Sequence, residues 1–216
     1  MSRVLLLGAT GLIGQELLKL LQTNSRVEVI YAPTRRPLRA QDKLVNPCHE
    51  DVRVALAQLH EPVDIVFCCL GTTRKLAFRF VDYTLVVDSA ARAKALGATH
   101  LLTVSAMSAS ATSPFFYSRI KGEMEVALRQ QGWRHLTLVR PSLLLGERAT
   151  RRPLEHFSAP LLKWMPAKWR AIEGKAVARA LMNHAFSPEP KASVAVLEAE
   201  ELRAWGSPPL APELHG

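Results

Sequence analysis

The stretch Arg3-Val4-Leu5-Leu6-Leu7-Gly8-Ala9-Thr10-Gly11-Leu12-Ile13-Gly14 decides how the rest of the chain is read. Residues 3–7 form a short apolar run, the pattern of a strand buried on both faces. A glycine turn follows. Leu12, Ile13, Leu17, Leu18 and Leu21 then recur at helical spacing through about Gln22. In a strand–turn–helix each glycine has a distinct task. Gly8 permits the tight turn, Gly11 lacks the Cβ that would keep a pyrophosphate off the backbone, and Gly14 lets helix and strand pack closely. The open N–H groups and the positive end of the helix dipole favour an anion there. Gly8, Thr10, Gly11, Leu12, Ile13 and Gly14 are therefore expected to hold the phosphates of a dinucleotide. The glycine spacing is G-x-x-G-x-x-G.

Outward from the turn, 27–32 reads as a second strand, rich in β-branched residues. Such a strand should end beside the adenosine ribose, where an acidic residue would select NAD through the 2′-hydroxyl. Here Tyr31-Ala32-Pro33-Thr34 ends it and Arg35-Arg36 follows, with no acid in reach. Arginine is the usual partner of a 2′-phosphate, so the expected cofactor is NADP(H). A weaker strand and a helix fit 43–59. Buried strands fit 64–70, 100–105 and 136–139, and helices fit 81–96 and 116–131, with Gly97 and Gly132 as stops. This alternation predicts an α/β fold, a Rossmann-type doubly wound parallel sheet with helices on both faces. After about residue 147 the chain turns richer in Pro, Arg and Trp, with one clear helix at 175–186 and a strand at 192–197. The expected organisation is one NAD(P)-binding domain over 1–216, in which 147–216 is a short substrate-side segment. Phe157, Trp164, Met165 and Trp169 read mainly as packing residues and secondarily as a pocket lining.

Bulk properties narrow the function classes. With 216 residues and 48% hydrophobic content, the chain fills one core rather than two. No run reaches the roughly 18 apolar residues of a membrane span, and residues 4–7 are too short for a secretory signal, so a cytoplasmic location is expected. Three cysteines make no disulfide framework: Cys68 and Cys69 read as small buried apolar residues and Cys48 stands alone. No Cys/His spacing suits zinc, so no metal is expected. The formal net charge is +9, but the basic residues are dispersed, so a solvated surface is a better reading than a nucleic-acid partner.

The chemistry-bearing motif is Tyr117-Ser118-Arg119-Ile120-Lys121. Positions i and i+4 share a helix face. A lysine near a tyrosine favours the phenolate and makes the phenol a workable proton donor and acceptor. Ser105 ends the preceding strand, where its hydroxyl could hold a substrate carbonyl. Ser108 and Ser110 compete for that role.

Together, the glycine turn, Tyr117 with Lys121, and Arg140-Pro141 after the sixth strand resemble the short-chain dehydrogenase/reductase superfamily, in its extended or atypical branch. A closer similarity is to the TIP30 (CC3) oxidoreductase-like family and its bacterial relatives. It rests on Cys68-Cys69-Leu70-Gly71-Thr72-Thr73-Arg74, Val81-Asp82, Phe116-Tyr117, Lys121-Gly122-Glu123 and Arg140-Pro141 with Leu144-Leu145. The superfamily resemblance implies Tyr117 as general acid/base, Lys121 as the residue that places the cofactor and tunes the tyrosine, and Ser105 as the hydroxyl that steadies a substrate oxygen. Leu70, Gly71, Thr72, Thr73 and Pro141 are expected to line the cofactor as well. Two departures stand out. Ser105 is followed by Ala106 rather than a second serine, and where many members carry an asparagine in the helix after the fourth strand this chain offers Asp82.

The function expected is hydride transfer between NADP(H) and a small carbonyl or alcohol. The alternatives are an NADPH-binding regulator, a role also described for the TIP30-like family, and a nucleotide-sugar epimerase or dehydratase, for which the segment after 147 leaves little room. The partners expected are a small-molecule substrate and a second copy of the chain, paired through the helices at 81–96 and 117–131, as is common in the superfamily.

Overall fold

The computed structural model describes residues 1–142, 144–145, 172–189 and 191–207. Strand β1 (Ser2–Leu7) runs into the glycine turn and helix α1 (Leu12–Thr23). Strand β2 (Val27–Tyr31), the two-residue strand β3 (Leu44–Val45), the short helix α2 (Val52–Ala57) and strand β4 (Ile65–Cys68) follow. The helix expected at 81–96 begins as a π-helical turn, Arg79–Thr84, and becomes α-helical only as α3 (Leu85–Ala95). Then come β5 (His100–Val104), α4 (Phe116–Gln130) and β6 (His135–Val139). Strands β7 (Leu144–Leu145) and β8 (Ile172–Glu173) pair with each other outside the main sheet. Helix α5 (Gly174–Phe186) and strand β9 (Val194–Leu197) match expectation closely, and helix α6 (Ala199–Gly206) was not expected.

Seven strands form one sheet in the order β3-β2-β1-β4-β5-β6-β9, and every pairing is parallel. The apolar strands owe their composition to burial on both faces. Side chains alternate across β1: Val4 and Leu6 join Leu17, Leu21, Val177, Leu181 and Leu202 beneath α1, α5 and α6. Leu5 and Leu7 join Leu56, Val86, Ala90, Met124 and Leu128 beneath α2, α3 and α4. Residues 172–207, where described, thus supply one edge strand and two covering helices of the main domain. Phe157, Trp164, Met165 and Trp169 lie outside the described residues.

The chain leaves β1 toward one side of the sheet and returns for β4 on the other. This reversal opens a crevice at the strands' C-terminal ends between β1 and β4, the place where open α/β sheets bind ligands. The glycine turn after β1, residues 69–73 after β4 and Ser105 after β5 all lie at that end.

Candidate active site at the sheet switch point

Gly8 has φ +81°, a left-handed conformation that favours glycine, and a Cβ there would stand 2.6 Å from the Cys69 carbonyl oxygen. Strand β4 therefore crowds the turn from one side. At Gly14 a Cβ would meet the Gly8 carbonyl oxygen at 2.1 Å, so helix α1 packs on the turn itself. Gly11 N–H donates to the Gly8 carbonyl at 2.9 Å and Gln15 N–H to Gly11 at 3.0 Å, closing turn and helix into one unit. Gly11 is the N-cap, no side chain caps the helix, and its first turn holds no acidic residue. An uncapped N-terminus with a glycine threshold is a fitting cradle for an anionic diphosphate.

In the loop after β2, Arg35 and Arg36 are exposed. Their loop is shaped by a residue that sequence reasoning missed. Asn46 donates to the Ala32 carbonyl (2.6 Å) and to Thr34 Oγ1 (2.8 Å), and its Oδ1 accepts from Leu38 N–H (2.8 Å). Thr34, buried, donates its hydroxyl to the Arg36 carbonyl at 2.6 Å. The arginines thus stand on a loop fastened from beneath. An asparagine just after a two-residue strand carries no recognisable signal, and only the fold brings it under 32–38.

Across the crevice, helix α4 places Tyr117 and Lys121 one turn apart. Tyr117 is half-exposed, its ring 5.0 Å from that of Phe78. Lys121 is buried, with Nζ 6.0 Å from the Tyr117 ring centre. It pairs with Asp82 Oδ1 at 2.8 Å and donates to the Val104 carbonyl at 3.2 Å. The other Asp82 oxygen accepts from Thr72 N–H at 3.1 Å. Burial pulls the Lys121 ammonium down, yet the Tyr117 phenol and the Asp82 carboxylate more than offset it and hold the group above its ordinary value. The strand expected at 64–70 stops at Cys68, so Leu70 joins Gly71, Thr72 and Thr73 in the loop after β4. Gly71 and Thr73 are exposed, Leu70 and Thr72 half-buried.

Ser105 is placed differently from its two rivals. It is buried, and its hydroxyl donates to Glu125 Oε1 at 2.5 Å. Glu125 in turn takes a forked pair of bonds from Arg140 (2.9 and 2.6 Å), which also reaches Glu198 at 3.0 Å. The network ties the ends of β5 and β6 to α4 and to the cap of α6. Ser108 and Ser110 lie exposed on the following loop. That loop presses on α4 at Gly122, where a Cβ would stand 2.1 Å from the Ser110 carbonyl carbon. Pro141 is buried directly after the Arg140 anchor.

Fold and cradle together define an NAD(P)-binding Rossmann domain, and the family model described as NAD(P)H-binding matches residues 8–188; the chain belongs to this family. It is similar to Protein HTATIP2 of Rattus norvegicus, 33% identical over 198 residues that span 86% of this chain and 81% of the relative. It is also similar to Protein FMP52, mitochondrial, of Candida albicans, 32% identical over 177 residues that span 76% and 77%. Two solved structures share the fold. One is MoeE5 in complex with UDP-glucuronic acid and NAD (TM-score 0.65, 17% identity, 91% of this chain and 76% of that one). The other is the oxidoreductase ylbE from Lactococcus lactis (TM-score 0.66, 18% identity, 94% and 95%). These two likenesses show a shared fold. Among the described residues no helix is long and apolar enough to cross a membrane.

Proposed function

We propose that the chain is an NADP(H)-dependent oxidoreductase that moves a hydride between the nicotinamide and a small carbonyl or alcohol carbon. The observation that carries this reading is the buried Lys121 ammonium set beside the half-exposed Tyr117 at the cofactor end of the sheet. The bound cofactor supplies the hydride. In the reducing direction Tyr117 donates its phenolic proton to the carbonyl oxygen, and Lys121 favours the phenolate left behind. The glycine turn and the head of α1 hold the diphosphate, residues 70–73 and Pro141 line the cofactor, and Arg35 with Arg36 binds a 2′-phosphate. Ser105 steadies a substrate oxygen only if its hydroxyl turns away from Glu125. Ser108 and Ser110 are the other hydroxyls offered to that role.

The test has two arms. Quenching of tryptophan fluorescence should show NADPH binding more tightly than NADH, and equal affinity would sink the assignment of Arg35 and Arg36. A panel of carbonyl compounds should be reduced with NADPH, and Tyr117→Phe should abolish turnover while sparing cofactor binding. Activity that persists in that variant refutes the assigned acid. A second reading, an NADPH-binding regulator, is favoured by the commitment of Ser105 to Glu125, which leaves that serine no proton for a substrate oxygen. Tight NADPH binding without turnover across the panel selects it.

A further inference from the structure

Asp82 carries a carboxylate into the interior of the fold. It is fully buried in the π-helical turn Arg79–Thr84, a rare geometry often found at functional sites. Its two oxygens serve different masters. One accepts from the backbone of Thr72 in the loop after β4, and the other pairs with Lys121 at 2.8 Å, with both side chains no more than 3% exposed. Lys121 has three N–H bonds. The ammonium pairs with Asp82 and donates to the Val104 carbonyl at the end of β5, which pins it beside the Tyr117 ring.

An ammonium alone beside a phenol strongly favours the phenolate. A carboxylate at 2.8 Å from the same ammonium cancels much of that field, and more completely where water is excluded. Three further groups around the pair can be named among the described residues. The Cys68 thiol behind it on β4 is pushed up by burial and stays neutral. At the rim, Arg79 is paired with Glu123, and Arg119 lies over the Phe116 ring and binds backbone carbonyls.

We infer that Asp82 is a positioning residue that sets the proton affinity of Tyr117 through Lys121, and that it fastens the same lysine to the Thr72 backbone of the cofactor loop. This rests on Tyr117 being the proton donor of the proposed reaction, but its test needs no substrate. The ultraviolet absorbance of tyrosinate is followed against pH in the full chain. The same titration of Tyr117→Phe in each background isolates Tyr117 from Tyr31 and Tyr83. Asp82→Asn keeps the shape and an acceptor for Thr72 N–H but removes the charge, and it should move the Tyr117 midpoint down by about one pH unit. Asp82→Glu should restore it. Lys121→Met should move the midpoint up, and the double variant Asp82→Asn with Lys121→Met should bring it back toward the unsubstituted protein.

The double variant buries no unpaired charge, so it tests the idea even if Asp82→Asn does not fold. An unmoved midpoint in folded Asp82→Asn, or a double variant that titrates like Lys121→Met alone, overturns the inference. If the midpoints move as stated while the carbonyl panel shows no turnover, the electrostatic role of Asp82 stands and the oxidoreductase reading fails. Where turnover is found, the pH profile of kcat should shift in Asp82→Asn in the same direction as the titration. A merely structural aspartate would lower kcat without shifting the profile.

Discussion

Single side chains shape both ends of the crevice at the C-terminal edge of the sheet. Asn46 touches no expected ligand, yet it holds the backbone from which Arg35 and Arg36 project. Asn46→Ala should reduce the preference for NADPH over NADH about tenfold, the worth of one well-placed charge-assisted contact, with NADH affinity hardly changed. Parallel fluorescence titrations with the two nucleotides check this. Glu125 is the buried counter-charge of Arg140, whose guanidinium is held above its ordinary value chiefly by bonds to Glu125. Glu125→Ala leaves that guanidinium with only the partly exposed Glu198 and should cost about 2 kcal/mol, read from urea unfolding. Ser105→Ala removes only one hydroxyl from the same carboxylate, and about 1 kcal/mol is expected. These two numbers separate the structural share of the network from any share in substrate binding. The latter appears as a raised KM for Ser105→Ala, or for Ser108→Ala or Ser110→Ala if one of those hydroxyls serves instead.

At the scale of elements, the loop carrying Ser108 and Ser110 is set by its seat on α4. Backbone atoms of Ser110 and Ala111 occupy the space that a Cβ at Gly122 would need. Gly122→Ala should improve helix propensity by about 1 kcal/mol and still destabilise the protein, because rigid backbone must move. The loop amides should lose protection from hydrogen exchange before those of β5. Some elements were plain from sequence. The glycine turn, the buried strands and helix α4 announce themselves through local periodicity and stop signals. The π-helical turn has no such signature, since Arg79-Phe80-Val81-Asp82-Tyr83-Thr84 reads as ordinary helix. Helix α6 is short and polar, and the sequence signal for it is the capping box of Glu198 and Glu201 at its start. Tyr117 and Lys121 could be found because they lie four residues apart. The bonds from Lys121 to Asp82, from Ser105 to Glu125 and from Asn46 to the 32–38 loop join distant parts of the chain, and no spacing rule reaches them.

Across the whole molecule, one response to acid is built into the far end of the sheet. His100 is buried at the start of β5 with Nε2 3.0 Å from Thr137 Oγ1, and burial, reinforced by His184, Lys191 and His135, lowers its pKa to about 3. The unfolded chain binds a proton there below about pH 6.5 and the folded chain does not, so stability falls with pH through the window from about 6.5 to 3. About 2 kcal/mol should be lost between pH 7 and pH 5 through this group, and His100→Gln should flatten that slope in urea unfolding measured at the two pH values. A larger consequence follows from the parallel order of the sheet. The edge strand β9 lies beside β6, and α5 covers the face of α1, so a helix made early is finished by one made much later. During synthesis Leu17, Leu18 and Leu21 leave the ribosome long before Val177 and Leu181 exist to meet them. A nascent chain stalled at residue 145 should therefore remain open to added protease, the glycine turn included, and resistance should come at a single late step once α5 and β9 have emerged.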